Sequence, residues 1–383
     1  MFHRFLVRGL MQGQVQAGPS KTIHLIAAAR PNFMKIAPLY HALQNESWAE
    51  PLIVHTGQHY DFNMSGAFFA DLGLPDPHVH LGIGSGTHGE QTGHVMIAYE
   101  KLIAEARPDL TVVVGDVNST LAASLAAVKS GVKVAHLEAG LRSFDRTMPE
   151  EINRVVTDAI ADLLWTPSPD GDENLLREGI PSERIERVGN IMIDSLEMMR
   201  PKIEKENAVA RHGLTRRSYG VATLHRPSNV DDPAHLQNLC ASFARLSEQL
   251  PLIFPIHPRT RRSLEENGLA SKLSACSHLH LVEPLSYTPF MNLVFNCRMV
   301  ITDSGGLQEE TTYLKIPCLT LRPNTERPIT ISQGTNRLCR IEDIEAEALR
   351  LLGHPEPEHP VPDLWDGKTA SRVVSSIQTF IRA

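Results

Sequence analysis

From residue 22 onward, short runs rich in Val, Ile, Leu and Ala recur, each followed by helical spacing, and this alternation narrows the possible folds most. TIHLIAA precedes PNFMKIAPLYHALQ, PLIVHT precedes DFNMSGAFFADLG, and DLTVVVGD precedes STLAASLAAVKSG; VKVAHLE and ADLLWTPS follow. Runs that are apolar on both faces belong to parallel strands covered by helices on each side. A second series starts after the polar, charged stretch 200–217. It comprises YGVATLH with a helix over 235–249, then PLIFPIH, LHLVEPL, MVITDS with helical LQEETTYL, and PCLTLR. The predicted fold is therefore α/β, two parallel-sheet domains joined by a linker, with the cleft between them as the ligand site. The expected boundaries are a disordered extension over 1–21, a first domain over 22–195, a second over 196–367, and an amphipathic helix over 368–383 packing back on the first domain.

The 383 residues suffice for two cores. No segment approaches the ~18 uninterrupted apolar residues of a membrane helix, so a soluble protein without membrane contact is expected. Basic residues are scattered and outnumbered, 37 Lys+Arg against 44 Asp+Glu, which argues against nucleic acid as a partner. The five cysteines form no C-x-x-C pair, are odd in number and sit mostly in or beside apolar runs; they read as reduced core thiols of a cytoplasmic protein. The first twenty residues carry Arg4 and Arg8 but no acid, and the apolar stretch breaks at Arg8 before it reaches the length of a signal core.

Parallel sheets bind ligands beyond the carboxyl ends of their strands. Polar residues crowd that position here: Arg30, His55, Gln58, Asp116, Glu138, His225, His257 and Asp303-Ser304 each follow an apolar run. In MVITDSGGLQEETTYL a strand leads through Ser304, Gly305 and Gly306 into a helix whose free N–H groups suit a phosphate, and Glu310 suits a ribose diol. An ordinary turn capped by Ser304 is the competing reading. GIGSGTHGE (82–90) only superficially matches a dinucleotide fingerprint, because neither the strand before it nor the acidic residue after it is in place; it reads as a loop capping a helix from Glu90. Arg30 and Lys35 put two cations at the start of the first helix. EAGLRSFDRTMPEEINR, with Glu138 and Glu150, is either a salt-bridged surface loop or a site of acid–base chemistry.

ARPNFMKIAPL, TGQHYD, GSGTHGEQT, VVGDVNST, HLEAGLRS, PEEINR, TLHRPSNVD, TDSGGLQEE and NTERP, in this order, resemble the motifs of the non-hydrolysing UDP-N-acetylglucosamine 2-epimerases. The resemblance runs from about residue 23 to about residue 340. It implies two Rossmann-like domains in the glycosyltransferase-B architecture, a homodimer, and interconversion of UDP-GlcNAc with UDP-ManNAc, with neither metal nor nicotinamide expected. Residue by residue it implies Asp116, Glu138 and Glu150 as acid–base carboxylates. Arg30, His225, Ser304, Gly305 and Gly306 would bind the diphosphate, His225 also acting in catalysis, with Glu310 on the ribose. Lys35 and Arg327 would be further basic groups of the site, and Gln58 and His59 a regulatory sugar-nucleotide site. The sequence departs from the family pattern at Ala28-Ala29-Arg30-Pro31-Asn32, in a shortened stretch between Glu138 and Glu150, and at Ile329, where many members have Glu.

The hydrogen at C2 of a nucleotide sugar is not acidic, because C1 is an acetal. Either a neighbouring carbon is oxidised by NAD, or the C1–O bond breaks and UDP leaves. The weak glycine-rich match and the strong phosphate turn favour the second route, through a 2-acetamidoglucal. Inversion then needs acid–base groups on both faces of the ring, and crowding among Asp116, Glu138 and Glu150 is expected to raise the pKa of at least one. A hydrolysing epimerase that releases ManNAc and UDP, a glycosyltransferase of the same fold, and a non-catalytic sugar-nucleotide sensor are the rival readings.

Overall fold

The computed structural model describes residues 20–57, 69–353 and 360–382. Seven strands make the first sheet: β1 (Lys21–Ala27), β2 (Ala49–His55), β3 (Val79–His80), β4 (Leu110–Val114), β5 (Lys133–Leu137), β6 (Leu163–Thr166) and β7 (Ile185–Arg187). All are parallel, in the order β3-β2-β1-β4-β5-β6-β7. The second sheet holds β8 (Gly220–Thr223), β9 (Leu252–Pro255), β10 (Leu279–Val282), β11 (Met299–Thr302), β12 (Cys318–Thr320) and β13 (Asn336–Leu338). These too are parallel, in the order β10-β9-β8-β11-β12-β13. Strand order reverses between β1 and β4 in one sheet and between β8 and β11 in the other. A crevice opens outside the strand ends at each reversal.

The expected parallel α/β sheets are present. β3, β7 and β13 add to the strands expected from apolar runs; each is two or three residues long, too short to leave a pattern. The stretch 200–217 lies between the two sheets and is partly helical. A single helix, Ile191–Lys205, continues through Arg200 because Leu196, Met199 and Ile203 bury one of its faces, and a short helix, Ala208–Arg211, follows. Through Met199 and Ile203 the apolar core runs unbroken from the first sheet to Tyr219, Val221 and Val300 in the second half. The helix in the 82–90 region starts at His88 rather than Glu90. Thr87 and Glu90 cap it reciprocally, Thr87 N donating to Glu90 Oε2 at 2.9 Å.

The C-terminal helix, Thr369–Arg382, lies against the helix Arg30–Gln44 of the first half. Asp194 accepts from the backbone N–H groups of Thr369 (3.1 Å) and Ala370 (2.8 Å), which are otherwise unpaired donors of a helix start. Trp165 Nε1 donates to Ser376 Oγ at 2.9 Å. Among the described residues no helix is long and apolar enough to cross a membrane. All five cysteines are free thiols, and all but Cys276 are buried.

Candidate active site

A cleft of about 640 Å³ lies where the strand ends of the two sheets face each other. Arg30 and Lys35 enter it from the first helix, Asp116 from the turn after β4, and Glu150 from the first turn of the helix Pro149–Ile160. His225 follows β8; Ser304, Gly305, Gly306 and Glu310 come from the start of the helix Gly305–Tyr313, and Arg327 from the loop beyond β12. Glu138 sits just behind this wall, 7% exposed, and touches it through Lys35 and Arg327. Gln58 and His59 lie outside the described residues. Two other strand-end histidines have structural places. His55 stacks on Phe33 with ring centroids 5.1 Å apart, and His257 caps a helix by accepting from Arg259 N at 3.2 Å.

Glu138 ends β5 in a left-handed conformation (φ +77°), which costs a non-glycine residue about 1 kcal/mol or more. The backbone N–H groups of Glu138 and Ala139 both donate to Trp165 O, which holds that turn. Its carboxylate is ion-paired with Lys35 from its own domain and with Arg327 Nη2, 3.1 Å away, from the other. Gly115 (φ +67°) makes room for this: a Cβ there would stand 3.0 Å from Lys35 Nζ. Burial favours the neutral acid, but Lys35 and Arg327 together outweigh it and hold Glu138 below the usual carboxylate range. The expectation that crowding raises a pKa among the three acids is thus reversed at Glu138, because two cations reach it first.

In the cleft the raised carboxyls are Glu309 and Glu310. Burial pushes each up to about 7. Glu310 Oε1 accepts from Tyr287 O–H at 2.7 Å. Sequence reasoning passed over Glu309, though it stands beside Glu310 in the same motif, and Tyr287 carried no signal at all. Asp116 is ion-paired with Arg154 of the helix Pro149–Ile160. In the same segment Glu151 accepts from Ser143 N and Phe144 N, and Arg142 pairs with Asp158 and Glu178. The charged loop is therefore both things at once: Glu151, Arg142 and Asp158 brace it while Asp116 and Glu150 face the cleft.

On the opposite wall Asp303 is fully buried and accepts from His225 N, Arg226 N and Asn229 Nδ2. It also lies 2.9 Å from His225 Nδ1. That contact fixes the ring and presents Nε2 on its far side. Ser304 makes no side-chain cap, and a Cβ on Gly306 would meet nothing within 4 Å, so the helix start is open toward the cleft. At Gly305, by contrast, a Cβ would stand 2.8 Å from Glu326 Oε1 and 2.9 Å from Arg327 Nη1. Only glycine lets those charged groups pack against the turn. Arg226, the residue after His225, also enters the cleft, with Nε donating to Asp303 O at 3.0 Å.

Two parallel-sheet α/β domains with a cleft between their strand ends define the glycosyltransferase-B architecture. The profile of the UDP-N-acetylglucosamine 2-epimerase family matches residues 41–378. A UDP-N-acetylglucosamine 2-epimerase of Methanocaldococcus jannaschii is 45% identical over 363 residues, 92% of this chain and 97% of that protein. Similar solved structures include the M. jannaschii UDP-GlcNAc 2-epimerase in complex with UDP-GlcNAc and UDP, 41% identical with TM-score 0.84 over 94% of this chain and 99% of that one. Another is the Neisseria meningitidis UDP-GlcNAc 2-epimerase bound to UDP-GlcNAc, 27% identical with TM-score 0.85 over 94% and 100%. This chain belongs to the UDP-N-acetylglucosamine 2-epimerase family, the one its motifs resemble.

Proposed function

We propose that the protein interconverts UDP-GlcNAc and UDP-ManNAc by anti elimination of UDP and its re-addition, without hydrolysis. The carrying observation is the pairing of an ionised, cation-held carboxylate, Glu138, with Asp116 and Glu150 on one wall of the cleft, opposite an open helix start and an oriented histidine on the other. Relatives solved with UDP-GlcNAc or UDP support the substrate class.

In this reading Arg30, His225 and the backbone N–H groups at Ser304–Gly306 hold the diphosphate, and Glu310 accepts from the ribose hydroxyls. Those donors strengthen as the C1–O bond breaks and charge moves onto the leaving UDP. A carboxylate takes the C2 proton, the electron pair forms the C1=C2 bond of 2-acetamidoglucal, and UDP departs as the anion. On return, a second group delivers a proton to the opposite face of C2 while a phosphate oxygen re-forms the bond to C1. This reading gives the transfers to Glu138, Asp116 and Glu150, and the resemblance implies that the unit is a homodimer.

Incubation with UDP-GlcNAc in deuterium oxide without added nicotinamide tests the reaction. UDP-ManNAc carrying deuterium at C2 is expected by NMR. Retained protium excludes elimination–addition, and free ManNAc with UDP as the main products assigns the hydrolysing reaction instead.

A further inference from the structure

We propose that Glu309 holds the proton that, through Arg327, sets the basicity of Glu138, so that it acts as a positioning residue for the base. The inference rests on reading the cleft as the epimerisation site.

Glu309 is buried at the start of the helix Gly305–Tyr313, and its two oxygens differ. Oε1 accepts from Asn190 Nδ2 at 3.0 Å and lies 2.9 Å from Arg327 Nε. Oε2 is buried with no hydrogen-bond partner among the described residues. An ionised Glu309 would be compensated on one oxygen only, by Asn190 and by an Arg327 that two other carboxylates share, so burial favours the protonated acid. Arg327 is meanwhile shared. Its Nη2 reaches Glu138 at 3.1 Å and its Nη1 reaches Glu326 at 2.6 Å, while Glu326 is also held by Arg322 at 2.8 Å. One guanidinium thus serves three carboxyl groups, and the demand from one changes what the others receive.

The charged groups around Glu309 are Arg327 and Glu326 from the loop after β12, Glu138 just after β5, Lys35 from the first helix, and Glu310 beside it. The packed helix Ile191–Lys205 faces Glu309 with the Asn190 amide at its start, while its Glu197 reaches Tyr313 at the other end of Glu309's helix. Burial raises Glu309 to about 7; the charge of Glu138 adds to this, while Arg327 and Lys35 oppose it. Below neutrality Glu309 is uncharged, Arg327 is committed to Glu138 and Glu326, and Glu138 is a weak base. Above neutrality Glu309 is an anion that competes for Arg327 and repels Glu138, which becomes more basic. A buried carboxyl raised beside one held low is an arrangement that divides acid from base.

Epimerisation measured against pH tests this, with deuterium incorporation at C2 followed in parallel. The wild-type kcat is expected to rise by up to about tenfold between about pH 6 and pH 8, the span of one ionisation near 7. Glu309→Gln, which mimics the protonated acid, is expected to give a flat profile at the low-pH rate with KM within about twofold. Glu309→Asp, which keeps a carboxyl, is expected to restore a limb. An unchanged limb in Glu309→Gln, or an equal loss at every pH, overturns the proposal. So does a wild-type profile that is flat through neutrality.

Difference infrared spectra supply a readout that needs no substrate. The protonated carboxylic acid band should disappear across the same pH range and hold two components, one missing in Glu309→Gln and the other in Glu310→Gln. If that band titrates while UDP-GlcNAc is not epimerised, the functional reading fails and the proton assignment stands. If the enzyme epimerises and Glu309→Gln keeps the full band, the inference fails alone.

Discussion

Asp303 and His225 show how one residue prepares another. Burial alone would raise the Asp303 carboxyl, but the His225 ring and the backbone N–H groups hold it low, so it stays an acceptor and the imidazole cannot turn. In the proposed mechanism Arg30→Ala and His225→Ala each remove a donor to the departing diphosphate, and kcat is expected to fall about 10²-fold or more for each. Rates within about twofold of the parent would place both residues outside the chemistry. Gly305→Ala is expected to lower kcat as well, because the added methyl group displaces Glu326 and Arg327, and Arg327 is the link to Glu138.

Elements carry these residues only as well as their ends are held. The C-terminal helix has its first N–H groups capped by Asp194, a side chain from the helix that joins the two halves. Asp194→Ala removes that cap, and the unfolding free energy from urea melts is expected to drop by about 1–2 kcal/mol. The turn after β5 is held from below. Asp158 Oδ1 lies 2.6 Å from His136 Nδ1, and its Oδ2 accepts from Gly140 N at 3.1 Å and pairs with Arg142 at 2.8 Å. Burial raises the Asp158 carboxyl, but His136 and Arg142 together hold it low. A native pKa below the unfolded one means that the unfolded chain binds more protons in acid. The stabilisation from Asp158 is thus complete above the usual carboxylate range and is lost as pH falls through it. Asp158→Asn is expected to flatten the loss of stability in acid urea melts.

At the scale of the whole molecule, the ties that cross the cleft among the described residues include Arg327 to Glu138 and Asn190 to Glu309. The helix Ile191–Lys205 and the C-terminal helix link the halves at the back. On the proposed function, a ligand held by Arg30 on one side and the Ser304–Gly306 turn on the other would favour the closed form, and a glycal intermediate would require it. UDP is expected to reduce the radius of gyration in small-angle scattering at constant oligomeric state. It should also slow hydrogen exchange over 30–35 and 304–310. No change in either measurement rules out closure on the nucleotide.

Much of this was legible beforehand, and the reasons are local. Apolar runs with a following helical period mark parallel strands wherever a strand spans four residues or more, and the rule that ligands sit beyond strand ends picks out Asp116, Glu138, His225 and Ser304 from sequence alone. What sequence by itself determined is the two α/β halves and the residue types at the ends of their strands. Only the tertiary structure decided that His55 and His257 serve packing and capping, that 200–217 is partly helical, and that Glu309 and Glu310, not Glu138, carry raised pKa values. The physical reason is that periodicity is set by neighbours along the chain, whereas ionisation is set by neighbours in space. Glu138 meets Lys35 and Arg327, and Glu309 meets Asn190, only after two sheets and the helix between them have packed.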